Sequence, residues 1–143
     1  MIDLDGEIRD GRHRMAVRVY YEDTDFSGIV YHANYLRFME RGRTNYLRLV
    51  GADHADLFAA GLAFVVRTMR IEFRRPARMD DVLTIVTAPQ EVRGASILLR
   101  QEVLRGEEAL IEAEVRVACV SGGRARPIPR ELRLAMAPPL TKP

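Results

Sequence analysis

Cysteine, lysine and tryptophan are almost missing from this chain of 143 residues: Cys119 is the single cysteine, Lys142 the single lysine, and there is no tryptophan. A lone cysteine cannot form an intramolecular disulfide and excludes a cysteine-rich metal site. With Ala118 and Val120 as neighbours, Cys119 reads as a small buried hydrophobe. No stretch approaches the ~18 uninterrupted apolar residues of a membrane-spanning helix. The opening residues Met1 to Glu7 lack the basic start and apolar core of a secretory signal, so a cytoplasmic protein is expected. No internal repeat or low-complexity tract is present. A clustered basic stripe is missing as well: the net charge is only +2 and arginines alternate with acids along the chain. That pattern argues against nucleic acid as a partner.

What is present is enough apolar sequence, 48% of residues, for one buried core but not for two domains of ordinary size. A single domain over residues 1–143 is expected, with 1–14 and 138–143 as frayed tails. Residues 16–22 are rich in β-branched and aromatic types and read as a strand. From Asn34 the period changes: Tyr35, Phe38, Met39, Gly42, Tyr46, Leu49 and Val50 recur at three- and four-residue steps, the signature of one helix face. Gly42 costs such a helix ~1 kcal/mol against alanine, and close approach to a sheet is a reason to keep it. Gly51 is a plausible stop. A second short helix fits Asp53 to Ala60, with Asp53 as its N-cap.

Four strand-like segments follow: one in which Met69, Ile71 and Phe73 alternate with polar residues, then Val82 to Ala88, Ser96 to Leu104, and Ile111 to Cys119. Period two with one wet face and short turns at Arg93-Gly94 and Arg105-Gly106-Glu107 predicts an antiparallel meander for the last three. The polar members of Arg70 to Arg78 read as a solvated strand face. Residues 130–137 read as a terminal helical turn. The fold class is therefore α+β, one curled antiparallel sheet of five strands wrapped around one long helix.

The chemistry-bearing candidate is the segment from Val19 to Tyr35. It places Glu22, Asp23 and Asp25 within four residues, then Gly28, then an apolar lead through Val30, Tyr31 and His32 into the buried helix. One reading is structural: solvated turn acids, with Asp25 complementing a helix N-terminus and His32 a capping or core residue. The other is catalytic. A carboxylate held ahead of exposed helix amides sets a base or nucleophile beside an oxyanion site, and thioester hydrolysis needs both. A hard-donor metal site from Glu22, Asp23, Asp25 and His32 is disfavoured, because such sites draw more oxygens from a recognisable loop. A nucleophilic Ser27 is disfavoured by the lack of a Gly-x-Ser-x-Gly elbow.

Tyr20-Tyr21-Glu22-Asp23-Thr24-Asp25, Gly28-Ile29-Val30-Tyr31-His32-Ala33-Asn34-Tyr35 and Glu40-Arg41 together resemble the Tol-Pal-associated acyl-CoA thioesterases of the YbgC type, within the 4-hydroxybenzoyl-CoA thioesterase family. The resemblance continues through Phe64-Val65-Val66-Arg67, Pro76 to Asp81, Arg93-Gly94 and Glu112 to Val115. It spans nearly the whole chain except the tails. It implies the hot-dog fold, acyl-CoA as substrate without cofactor or metal, and a homodimer or homotetramer with sites at subunit interfaces. An acyl carrier protein or envelope complex is a further implied associate. By position, the family's catalytic carboxylate falls on Asp25, and the residue whose backbone amide contacts the thioester carbonyl falls on His32. Gly28, Val30 and Tyr31 are then expected at the substrate. Phe26 departs from the small residue many relatives carry. A hydratase acting on the same thioester, and a non-catalytic partner, remain alternatives.

Two arginines complete the expected site. Continuing the alternation of Met69, Ile71 and Phe73 backwards puts Val65 and Arg67 on their apolar side, where a guanidinium needs a partner; a structural ion pair or a break in register are the competing readings. Arg93 is the leading candidate for the coenzyme A phosphates, ahead of the Arg70 to Arg78 face.

Overall fold

The computed structural model describes residues 2–51, 54–136 and 138. Its strands are β1 (Glu7–Arg9), β2 (Arg12–Arg18), β3 (Ala63–Phe73), β4 (Val82–Val92), β5 (Ser96–Arg105), β6 (Glu108–Ser121) and β7 (Arg124–Ala125), and its helices are α1 (His32–Leu49), α2 (His54–Ala59) and α3 (Arg130–Ala135). One antiparallel sheet has the order β1-β2-β4-β5-β6-β3, with β7 paired to β6. Five long strands wrap α1 as expected, and the short β1 and β7 extend the sheet. The β4-β5-β6 meander is present. The Asp53 cap lies outside the described residues, as does most of the 138–143 tail.

The frayed segment expected over residues 1–14 is a correction. β1 and the first three residues of β2 fall inside it, with Ile8 opposite His13 and His13 opposite Thr87 of β4. His13 is fully buried beside Tyr46, 2.7 Å from the Asp5 carbonyl through Nε2. Arg12 and Arg14 lie on either side of the inward-facing His13, and β2 ends at Arg18, short of the 16–22 strand expected from composition.

α1 is buried along Tyr35, Phe38, Met39, Gly42, Tyr46 and Leu47, while Leu49, expected on that face, is exposed. Two apolar clusters flank the helix. Tyr35, Phe38 and Met39 pack with Leu83, Ile85, Val103 and Ile111; Tyr46 and Leu47 pack with Ile97, Leu99, Val115, Cys119 and Leu132. Between them lies a polar belt. The buried Gln101 donates through Nε2 to the Met39 carbonyl (2.9 Å) and to Thr87 Oγ1 (2.8 Å), and Arg43 donates to its Oε1 (3.0 Å). Pairing the side-chain atoms of the belt this way avoids the desolvation cost of leaving them unpaired. Gly42 sits against this belt: a Cβ there would be 2.9 Å from both Ile85 Cγ2 and Thr87 Oγ1.

β3 forms one edge of the sheet. Its register against β6 slips between Val66 and Thr68, so Arg67 lies at a bulge. The slip carries Phe64 and Val66 opposite the buried Cys119 and Val117, on the same side as Met69 and Ile71. The placement of Val65 and Arg67 on the apolar side is thus corrected, and the break in register is the reading the structure supports. Arg67 is exposed.

Candidate active site

The local build of the acidic segment explains where each carboxylate points. After β2 the chain makes a single 3-10 turn over Tyr21–Asp23. Asp23 is not a solvated turn acid. It is 8% exposed, and its carboxylate accepts from the Tyr20 amide (2.9 Å) and from the Asn34 side chain. Its carbonyl accepts from the Tyr31 amide at 2.9 Å. From this rung a short hairpin rises: Thr24 bridges Val30, the Asp25 amide donates to the Ile29 carbonyl (2.9 Å), and the Gly28 amide donates to the Asp25 carbonyl (3.1 Å). Gly28 closes the turn at φ +80°, a left-handed conformation that glycine adopts without strain.

Asp25 stands exposed at the tip of this hairpin. Its Oδ1 accepts from the Ser27 amide (2.8 Å) and the Ser27 hydroxyl (2.7 Å). These two donors, the hydroxyl first, hold the carboxyl below its ordinary range, so it is an anion at neutral pH. The Ile29 amide and Asp25's own amide add smaller contributions of the same sign. The cleft around Asp25, of about 610 Å³, is lined by Tyr21, Glu22, Thr24, Phe26, Gly28 and Met79. Phe26, Tyr21 and Met79 are all exposed, Phe26 completely. Three large apolar side chains around a carboxylate, all facing solvent in one chain, are a surface built to be covered.

The returning arm of the hairpin runs straight into α1. Tyr31 is the N-cap residue and offers no side-chain cap. Asn34 donates its amide to the Tyr31 carbonyl, whereas the amides of His32 and Ala33 have no backbone acceptor among the described residues. An uncapped N-terminus keeps its donors and the positive end of the helix dipole available to an anion. Asp25 lies two hairpin rungs beyond the Asp23 to Tyr31 bond, roughly 7 Å at strand rise.

The other expected residues separate. The His32 ring lies 4.7 Å from Tyr31 and edge-on to Phe73 at 6.2 Å, and it lines a second, apolar pocket of about 260 Å³ with Val30, Tyr35, Phe73 and Ile111. Asp25 and the His32 side chain therefore face adjoining but different cavities. Val30 is a core residue there, its amide bound to the Ala77 carbonyl at 2.8 Å, while Tyr31 is about half exposed. Arg93 is at the far end of β4 from this region, roughly 30 Å away within one chain by strand rise, with its Nε on Glu91 at 2.7 Å. Arg67 is likewise remote, six residues along β3 from the His32-facing Phe73.

Sequence reasoning named Asp23, Ser27, Asn34 and Pro76 to Asp81 but did not give them the roles they have here. The loop 74–81 is held by Asp81, whose Oδ2 accepts from the Arg78 amide and from Arg105, each at 2.9 Å, and by the Ala77 amide on the Tyr35 hydroxyl (2.9 Å). Ile29 bridges Arg78 through the backbone, so the loop sets Met79 into the Asp25 cleft. Arg74 and Arg75 are instead engaged by Glu72, Glu112 and Glu108, the solvated face expected of this cluster. One signal for Asp23 was available: an acid three residues after a strand exit returns to that residue's amide, half of a capping box.

Residues 19–136 match the family model of the thioesterase-like superfamily. The chain belongs to this superfamily. The YbgC acyl-CoA thioesterase of Haemophilus influenzae is 45% identical over 129 residues, covering 88% of this chain and 95% of that one. The acyl-CoA thioester hydrolase YbgC of Escherichia coli O157:H7 is 47% identical over 115 residues, covering 80% and 86%. Among solved structures, a probable thioesterase from Bartonella henselae superposes with a TM-score of 0.78 at 45% identity, over 82% of this chain and 99% of that one. A 4-hydroxybenzoyl-CoA thioesterase with its substrate bound shares the fold at TM-score 0.81 and 23% identity, over 89% and 99%. The superfamily's hot-dog fold is the architecture described above. Among the described residues no helix is long and apolar enough to cross a membrane, and no cluster of metal-ligating side chains is present.

Proposed function

We propose that this superfamily member hydrolyses acyl-CoA thioesters with Asp25 as the catalytic carboxylate. The observation that carries the reading is an accessible, ionised Asp25 at the tip of a hairpin whose other arm opens into an uncapped helix. The names of the relatives above support the reaction. In it, Asp25 either attacks the thioester carbon directly or takes a proton from an attacking water. The amides of His32 and Ala33 receive the charge that develops on the carbonyl oxygen. The C–S bond then breaks and coenzyme A leaves. On the water route it takes up the proton held by Asp25 and the free acid is released; on the direct route it leaves as the thiolate, and a water then hydrolyses the acyl-Asp25 anhydride to the acid. His32 serves through its backbone, since its ring is turned toward Phe73.

The apolar pocket beside His32 receives the acyl group. Arg78, whose backbone bridges Ile29 of the Asp25 hairpin, is nearer this cleft within one chain than Arg93 or Arg67 and is the preferred phosphate contact. A second copy of the chain covers the exposed β3 edge, where Val65 and Val66 are 41% and 45% exposed. An eleven-residue unprotected edge invites pairing, and a homodimer or homotetramer would also cover Phe26 and Tyr21. An acyl carrier protein could present the same thioester, and a cytoplasmic location fits such substrates. The test is thiol release from acyl-CoAs of increasing chain length, aromatic ones included. Saturable release from at least one is expected, and none from any would remove the proposal.

Ser27 makes a pH prediction. Its donors stabilise the anion of Asp25, so Ser27→Ala, which removes the hydroxyl, should let the carboxyl titrate at higher pH. The acid limb of kcat/KM should move upward while the neutral plateau stays within a few-fold of wild type. An unmoved acid limb would separate Ser27 from the titration that controls the rate.

A further inference from the structure

The buried carboxylate of Asp23 has no part in the chemistry above, yet it joins the three pieces of backbone that make the site. One oxygen accepts from Tyr20, two residues past the end of β2, and the other accepts from the side-chain amide of Asn34 in the first turn of α1. The carbonyl of the same residue accepts from Tyr31, the last residue before the helix. Asp25 is two residues further along. We infer that Asp23 and Asn34 form a positioning clamp that sets the catalytic carboxylate of Asp25 at a fixed height above the His32 and Ala33 amides. The inference rests on the proposed roles of Asp25 and of those amides.

The physical case is one of stakes and geometry. A buried carboxylate is costly unless its oxygens are satisfied, and here both are, by a backbone donor from the strand side and a side-chain donor from the helix side. Such a group resists displacement because losing either donor leaves a charge desolvated and unpaired. The hairpin that carries Asp25 is otherwise exposed, from Tyr20 to Gly28 apart from Asp23 and the half-buried Thr24. Without the clamp, the arm that carries Asp25 is held to the helix only through its backbone rungs to the returning arm, from Tyr31 to Asp23, Thr24 to Val30 and Asp25 to Ile29, with no side-chain bond to α1 itself among the described residues. Misplacing a reacting group by about 1 Å can cost on the order of a hundredfold in rate, so loosening this joint acts on kcat. Substrate binding through the acyl pocket and the arginines is untouched, which leaves KM alone.

The bond can be broken and rebuilt. Asn34→Asp sets two carboxylates face to face, neither able to donate. Adding Asp23→Asn restores the pair with donor and acceptor exchanged: the amide side chain now at position 23 accepts from Tyr20 and donates to the carboxylate now at position 34. Asn34→Ala removes the bond without adding charge, and is the reserve if Asn34→Asp fails to fold. The expected result is a fall in kcat of roughly tenfold or more for both single variants at position 34, with KM near wild type, and recovery of most of kcat in the exchanged pair. Each variant is assayed well below its unfolding midpoint, so a purely structural role, acting through the folded fraction, would leave kcat unchanged. Wild-type kcat in Asn34→Ala, or a folded exchanged pair as slow as Asn34→Asp, would overturn the clamp. Asp25→Asn runs alongside as the control. If it turns over normally, the reading of Asp25 fails; if it is inactive while Asn34→Ala is normal, only the clamp does.

Discussion

Asp25→Asn should lower kcat by at least a hundredfold while the unfolding midpoint and the affinity for acyl-CoA stay close to wild type. The size follows from what the side chain supplies: a general base contributes about 10² to 10⁴ in rate, and a nucleophile is not replaceable by an amide. The retained stability follows from the site. Asp25 is exposed and touches only Ser27 and its own hairpin, and an asparagine oxygen can accept the same two bonds. Its carboxylate makes no contact with the core, so there is no packing to lose. Steady-state kinetics read beside thermal unfolding would separate this outcome from simple damage, in which kcat and the midpoint fall together.

Gly42→Val should be the converse, a large loss of stability from a residue remote from the chemistry. The first atom of any side chain at 42 meets Ile85 Cγ2 and Thr87 Oγ1 at 2.9 Å and Gln101 Nε2 at 3.3 Å. Ile85 and Thr87 are β-branched and stiff at χ1, and Thr87 and Gln101 are committed to each other and to the Met39 carbonyl. Neither neighbour can yield without breaking the polar belt or lifting the helix from the sheet. Overpacking of this kind costs about 1–3 kcal/mol, with the broken hydrogen bonds in addition. Chemical denaturation should show a lower midpoint for Gly42→Val than for Gly42→Ala, and both below wild type, although alanine favours the isolated helix by ~1 kcal/mol. A Gly42→Ala protein more stable than wild type would show that the helix has room to move off the sheet.

Much of this architecture was legible because it rests on period. The face of α1 from Tyr35 to Tyr46 and the alternating strands of the meander come directly from spacing, and Gly42 announced a close approach that the structure contains. The features that were not legible have physical reasons. A bulge inserts one residue and leaves no mark on composition, so Arg67 could not be placed by extending the alternation of Met69 and Ile71. Only the last residues of β2 fell within the strand read over 16–22; its start, where His13 turns inward between Arg12 and Arg14, was placed in the tail. Three acids in four residues look alike in a sequence; that Asp23 turns inward and Asp25 outward is decided by a 3-10 turn and by Asn34, eleven residues on. The division of Asp25 and His32 between two adjoining cavities depends on the direction of one ring toward Phe73, which no spacing encodes. The resemblance to thioesterases pointed to Asp25 and to the first turn of the helix, but not to the residues that hold them.

The most direct test of the central claim is single-turnover thiol release with enzyme in excess over acyl-CoA, comparing wild type with Asp25→Asn, because it reads cleavage of the C–S bond without product release. The account predicts that wild type liberates one thiol per substrate bound, while Asp25→Asn binds the substrate and, on quenching, returns it intact. Thiol release from Asp25→Asn at the wild-type rate would contradict it.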